Sequence, residues 1–450
     1  MKCSFPALRR SVTGVACALF IALVAGQAQA AAASPLEEEI RTRSAAVESQ
    51  LIAWRRDIHE HPELGNQEKR TAKLVADHLR QLGLEVRTGV ARTGVVGVLR
   101  GGLPGRTVAL RADMDALPVT EPAGLPFASK AKGLYQGKET GVMHACGHDA
   151  HTAMLMATAQ VLAGMKAKLP GTVVFIFQPA EEGPSDFIPT TEKDTWGARM
   201  MLQEGIFDEF KPEAVLGLHV LPGRPGEIRW RNGATTASSD NLAITVTGKQ
   251  GHGGMPWNTV DPIATSGLVV AGLQTVVSRR TNLTASPAVV TIGSIHGGSA
   301  PNIVPEAVEL TGTIRTYDEK VRAQVGRDVR LTAEKIAEST GATAKVNLVP
   351  IYGTTVNNAA LAAQLAPALE RATDGKTGSL DLLGASEDFS YYAAKVPGLF
   401  VLLGVTPPDQ DPAKAAPNHN PKFMVHEPAL IVGTRAMATM AVDFLGSPAK

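Results

Sequence analysis

The sequence predicts an α/β protein in which a mostly parallel, helix-flanked sheet is interrupted by a smaller inserted domain of ferredoxin-like α+β type. Three observations predict it: strand-like and helical stretches alternate early, the rhythm changes in the middle, and the alternation returns near the end. Residues 37–82 read mainly as helix, broken around His61-Pro62-Glu63-Leu64-Gly65. Residues 94–99 and 107–111 read as short buried strands, and 150–166 as a helix opening at the Gly147-His148-Asp149 turn. Residues 171–177 form an apolar, β-branched strand that stops at Gln178-Pro179, and 214–220 form another. Strands alternating with helices build parallel sheets, whose functional groups collect where strands end. In the middle, 242–247 is strand-like, 259–279 helical, 288–295 and 307–316 strands, 319–339 helical and 344–349 a strand. That β-α-β-β-α-β order is the split unit, complete in itself. Residues 238–350 are therefore read as a domain inserted between 31–237 and 351–450, with 398–403 the clearest late strand.

The chain has 450 residues, 44% of them hydrophobic, enough for one large or two medium domains. A net charge of +1 gives no electrostatic case for nucleic acid or an anionic membrane as partner. Residues 1–30 carry a basic start (Lys2, Arg9, Arg10), an apolar run and Ala28-Gln29-Ala30, the pattern of a cleaved secretory signal. The Arg9-Arg10 pair also allows a twin-arginine route. The mature protein is expected to be secreted or periplasmic, and no later apolar stretch reads as long and uncharged enough to span a membrane. Cys3 and Cys17 leave with the leader, so Cys146 is the one thiol left and an intrachain disulfide is impossible.

That thiol sits among metal-binding residue types. His144, Cys146, His148, Asp149 and His151 crowd one short loop. Glu181-Glu182 follow the strand at 171–177, His219 closes the strand at 214–220, and His419 lies in Pro417-Asn418-His419-Asn420-Pro421. A single strand-end histidine is more often structural than a ligand, but thiolate, imidazole and carboxylate occurring together are what a catalytic zinc site uses. Neighbouring side chains of an extended segment point to opposite sides, so one of the two glutamates is expected to hold metal while the other faces a water. The bland reading is a solvated acidic pair at a turn. Asp113, at the end of a strand, is placed to orient a ligand imidazole; the bland reading, for it and more evenly for Asp115, is a helix-capping or turn aspartate.

These segments resemble the amidohydrolase branch of the aminoacylase and carboxypeptidase superfamily, with its hippurate hydrolases, N-acyl-amino-acid and N-acetyl-diaminopimelate deacylases and auxin-conjugate hydrolases. The resemblance rests on Arg55-Arg56-Asp57-Ile58-His59 with His61-Pro62-Glu63-Leu64, Arg111 to Pro118, His144 to His151 and Gln178 to Gly183. It continues through Gly217-Leu218-His219-Val220, Gly251-His252, Asn302 with Pro305, Ser386-Glu387-Asp388-Phe389 and His419-Asn420-Pro421. Two departures stand out: Trp257 where relatives commonly carry a second histidine, and Asn418 in place of the first of a histidine pair. Arg111 stands where the peptidase branch has a metal-binding histidine.

The resemblance implies two divalent ions, zinc first with manganese, cobalt or nickel as alternatives, held by Cys146, His148, Glu182, His219 and His419 with Cys146 bridging. It implies Glu181 as general base and acid, Asp113 in support, and His252 reaching a neighbouring subunit's site to steady the oxyanion. Asn302 and Arg315 would grip the substrate carboxylate, and the inserted domain would act as lid and homodimer contact. The implied reaction is hydrolysis of the amide bond of small N-acyl amino acids; a dipeptidase or carboxypeptidase with the same chemistry is the alternative. A non-catalytic binding protein is disfavoured by the intact Glu181-Glu182 pair.

Overall fold

The computed structural model describes residues 1, 35–191 and 193–448; apart from Met1, the predicted leader lies outside them. The larger sheet has eight strands. Its centre is four mutually parallel strands in the order Pro170–Gln178, Leu103–Asp113, Ala214–Leu221 and Gly398–Gly404. Gly94–Arg100 flanks this centre antiparallel on one side and Ile228–Trp230 on the other. Both faces of the central strands are buried, which is why they read as continuous apolar runs. Alternate residues serve opposite faces: Val108, Leu110, Phe175, Leu399 and Val401 pack under the helices Pro35–Glu60, His148–Ala163 and Leu430–Gly446. Ala109, Val174, Ile176, Val215, Phe400 and Leu402 pack on the other side against Met201, Ile206, Phe389 and Tyr392.

The second sheet has four antiparallel strands, Ser239–Thr247, Ala288–Gly297, Ala307–Thr316 and Thr343–Tyr352, with the first and third central. This is the ferredoxin-like order. Its helices, Pro262–Thr275 and Glu319–Ser339, cover one face through Val269, Leu273, Val325 and Val329. The other face is open, and the strands there alternate buried and exposed residues. The chain enters and leaves this unit along Gly233–Thr236 and Thr355–Asn357, which pair antiparallel with each other.

Several details differ from the sequence reading. The helix expected over 259–279 starts at Pro262, because the Asp261 side chain accepts from the N–H groups of Ile263 and Ala264 and proline suits the first turn. The helix expected from 150 starts at His148, after Gly147 in a left-handed conformation, so His148 belongs to its first turn. The first long helix ends at Glu60 and the next begins at Lys69, a wider break than the sequence indicates. One later segment, Glu427–Gly446, is long and apolar enough to cross a membrane by length and composition, contrary to expectation; 72% of it is buried in the core. Phe175, fully buried in a central strand, tests the core. Phe175→Ala is expected to destabilise the protein by about 3–5 kcal/mol, read as an earlier first unfolding transition in urea.

Candidate metal centre

The parallel strands end together, and the chemistry gathers at that edge. Asp113 closes its strand, Glu181 and Glu182 follow Gln178, and His219 lies near the end of its strand, paired with Leu402 of Gly398–Gly404. Cys146 and His148 arrive on the turn into the helix His148–Ala163. His419 reaches the same edge from a loop in which its backbone φ is +68° and its N–H donates to the Ala145 carbonyl at 2.8 Å. Asn418 fixes that loop, its Nδ2 donating to the carbonyls of Cys146 at 2.8 Å and Val220 at 3.0 Å.

Two of the side-chain groups whose ligand atoms lie within 4.8 Å of one another share a residue: Cys146 with His148 and His219, and Cys146 with Glu182 and His419. Cys146 belongs to both. Its Sγ lies 3.3 Å from His219 Nε2, and Glu182 Oε1 lies 2.8 Å from His419 Nε2. Each candidate ligand imidazole in the first group spends its other nitrogen on a carbonyl, which fixes the tautomer. His148 Nδ1 donates to Asp115 O at 2.8 Å, and His219 Nδ1 donates to Val220 O at 2.7 Å. His148 Nε2 is then a buried ring nitrogen with no hydrogen-bond partner among the described residues, aimed at the cluster. The donor set and that orphaned atom fit a metal. A third grouping, Asp113 with His148 and His151, does not, because both nitrogens of His151 are in use. Its Nδ1 lies 2.6 Å from Asp113 Oδ1 and its Nε2 accepts from Val220 N at 2.8 Å.

The electrostatics point the same way. Burial pushes the Cys146 thiol well up, and the carboxylates of Glu182, Glu181 and Asp113 push it further. Burial opposes charge on His148, but Asp113 and Asp115 outweigh it and hold the imidazole up at about 10. Protons thus occupy positions that a cation would take over, since a cation favours the thiolate and the neutral imidazole. Burial also raises Glu182, yet His419 and His148 more than offset this and keep it low.

Glu181 occupies a different environment. It is buried, and burial together with Glu387, Glu182 and Asp388 pushes its carboxyl well above the usual carboxylate range, offset in part by Arg111. Its Oε2 lies 4.0 Å from His148 Nε2. The sequence reading of an extended Glu181-Glu182 pair is corrected here: both residues lie in a turn that follows Ala180, whose φ is +49°. The turn brings both carboxylates to His148, in one group whose ligand atoms lie within 4.8 Å of one another. Arg111, where the peptidase branch has a histidine, supports this region without serving as a ligand. It donates to Gln178 Oε1 at 2.9 Å, Asp113 Oδ2 at 2.6 Å and Asp388 Oδ1 at 2.8 Å, and it lies 3.0 Å from Glu387 Oε1.

The remaining residues of the crowded loop go elsewhere. Asp149 is held by Arg55 Nε and His59 Nδ1, both at 2.8 Å, and His59 Nε2 lies 3.0 Å from Glu121. Burial lowers His144 to about 3, so it stays neutral. His252 is exposed on a two-residue strand paired with Ile303–Val304, and Gly253 N donates to Asn302 O at 2.7 Å. Among the described residues no hydrogen bond or ion pair links His252 or Asn302 to the metal cluster. Arg315 donates to Ser386 Oγ at 2.6 Å, beside the Glu387-Asp388 pair. Sequence reasoning gave no role to Glu68 or Asp388 and did not pair His59 with Asp149; the partners lie 112, 277 and 90 residues away along the chain.

The chain is similar to known proteins along most of its length. The chain is 39% identical over 412 residues to thermostable carboxypeptidase 1 of Saccharolobus solfataricus, covering 91% of this chain and 99% of that one. It is 37% identical over 402 residues to N-acetylcysteine deacetylase of Bacillus subtilis, covering 89% and 98%. Among solved structures, the Bacillus subtilis YxeP protein, described as a dinuclear metal-binding peptidase, superposes with a TM-score of 0.73 at 35% identity over 88% of this chain and 98% of that one. Residues 109–443 match the model of peptidase family M20/M25/M40, and the chain therefore belongs to this family of metal-dependent hydrolases acting on amide and peptide bonds.

Proposed function

We propose that the protein hydrolyses the amide bond of small N-acyl amino acids, with two divalent cations held by Cys146, His148, Glu182, His219 and His419. The observation that carries this reading is the turn at Glu181-Glu182. One carboxylate meets the Cys146–His419 group while its neighbour is buried beside His148 Nε2 and free to move a proton. Cys146, common to both ligand groups, would serve both positions. When bound, the cations polarise the scissile carbonyl and lower the pKa of a water to near neutrality. Glu181 takes the proton from that water and returns it to the departing amine nitrogen. Asp113 keeps His151 oriented, and with it the backbone at Val220 beside His219.

Zinc is the metal the thiolate favours, and manganese, cobalt or nickel suit the imidazole and carboxylate part of the set. Arg315 and Asn302 hold the substrate carboxylate. The partner subunit's His252 steadies the developing oxyanion in a homodimer formed through the inserted domain. In support, Val289 and Ile295 on that domain's edge strand are 47% and 51% exposed, apolar surface on a strand with one unpaired side. The leader directs the enzyme out of the cytoplasm. The similarity to an N-acetylcysteine deacetylase supports the N-acyl substrate.

Two measurements test this. Enzyme stripped by a chelator is expected to release no amino acid from N-acetyl or N-benzoyl substrates and to recover on adding zinc or manganese. Release from dipeptides alone would move the reading to a peptidase. Glu181→Gln is expected to keep its metal content by elemental analysis while turnover falls roughly 10²- to 10⁴-fold. Turnover within a few fold of the native enzyme would remove Glu181 from the role of base.

A further inference from the structure

The turn that carries Glu181 and Glu182 is held in place by a segment no part of the chemistry uses. Ala180 is a non-glycine residue in the left-handed region, which an L side chain disfavours. Its N–H donates to Glu68 Oε1 at 2.7 Å. Glu68 is fully buried, and its second oxygen accepts from Thr93 Oγ1 at 2.6 Å. The next alternate N–H of the turn, that of Glu182, donates to Asp115 Oδ2 at 2.8 Å. Two buried carboxylates therefore grip the turn on either side of Glu181. The same segment closes on the far end: Gly65 O accepts from Ser185 Oγ at 2.6 Å and from Ser185 N at 3.2 Å. A Cβ at Gly65 would lie 2.1 Å from Gly183 O, so the approach is as close as a glycine allows.

We infer that Glu68 is a positioning residue for the reaction: by accepting the Ala180 N–H it holds the left-handed turn that seats the carboxylates of Glu181 and Glu182 at the metal cluster. Asp115 shares this task, but its Oδ1 also lies 3.2 Å from His148 Nδ1, so removing it disturbs a candidate ligand directly. Glu68 has no hydrogen bond or ion pair to any candidate ligand side chain among the described residues, which makes it the cleaner probe. Without the Glu68 acceptor, Ala180 is free to relax to φ < 0, and the two carboxylates that follow rotate with it. A glycine in place of Ala180 adopts φ > 0 without the steric penalty and so depends less on Glu68. This inference rests on the proposed metal and base roles of the pair.

The test is a double-mutant cycle between Glu68→Ala and Ala180→Gly, read in full-length mature protein by kcat, KM and zinc affinity in competition with a chelator. Glu68→Ala is expected to lower kcat roughly 100-fold with KM within about threefold, and to weaken zinc retention roughly tenfold. Both losses should shrink by threefold or more in the Ala180→Gly background. Glu68→Gln keeps an oxygen for the Ala180 N–H and is expected to stay within about fivefold of the native enzyme. A Glu68→Ala loss that shrinks by less than threefold in the Ala180→Gly background, or that appears only in thermal stability, overturns the inference. If Glu68→Ala does not fold, Glu68→Asp, which withdraws the oxygen by one methylene, replaces it under the same criteria. The zinc measurement stands even if the native enzyme hydrolyses none of the N-acyl substrates, so failure of the substrate reading and failure of this inference are separable.

Discussion

Arg111 holds together charges that would otherwise repel. Its guanidinium, 2% exposed, is shared among Asp113, Glu387 and Asp388, and Gln178 completes its donors. These partners come from two adjacent central strands and from the segment leading into the helix Phe389–Ala393. Burying one cation alone would cost several kcal/mol, and burying three carboxylates more; together, hydrogen-bonded to one another, they form a rigid floor. Asp388 extends that floor by accepting from Gln178 Nε2 at 2.8 Å and from Ala198 N at 2.8 Å. The strand ends that carry the candidate base and ligands stand on elements that this floor fixes.

Above the floor the charge is unbalanced. Asp113, Asp115, Glu181 and Glu182 converge near one thiol and three imidazoles, and a single arginine below them does not compensate. The local response is to retain protons: on the Cys146 thiol, on His148 and on Glu181. Divalent cations would release them, which couples metal binding to proton loss and makes occupancy depend on pH. The same cations would return Glu181 to the ionised state in which a carboxylate accepts a proton.

Much of this was legible because the ligands sit at strand ends, and a strand end is marked in sequence by an apolar run meeting a polar residue. The runs before Gln178, at Ala214–Leu221 and at Gly398–Gly404 located the edge, and the thiol-imidazole loop named the chemistry. What sequence could not give was pairing at a distance. Nothing near Glu68 announces Ala180, and nothing near Asp149 announces Arg55 and His59. Strand pleating was expected to set Glu181 and Glu182 apart, but they lie in a turn behind a left-handed residue, and backbone handedness at a single alanine leaves no mark on composition or period.

The inserted unit meets the larger sheet through two strands that pair with each other, Thr236 Oγ1 donating to Thr355 Oγ1 at 2.7 Å between them. In genetic terms the insertion cuts the chain twice; in mechanical terms it hangs from one two-ply stem. The pairing shifts register between Thr355 and Val356, and a short paired stem of this kind resists sliding of one ply past the other more than bending and twisting about a shared axis. Other ties cross the junction: Arg315 donates to Ser386, Tyr391 to the Ile351 carbonyl, and Tyr352 packs with Ala180 and Trp196. Were the stem to bend, residues far out on the unit, His252 and Asn302 among them, would sweep the longest arcs for the smallest change there.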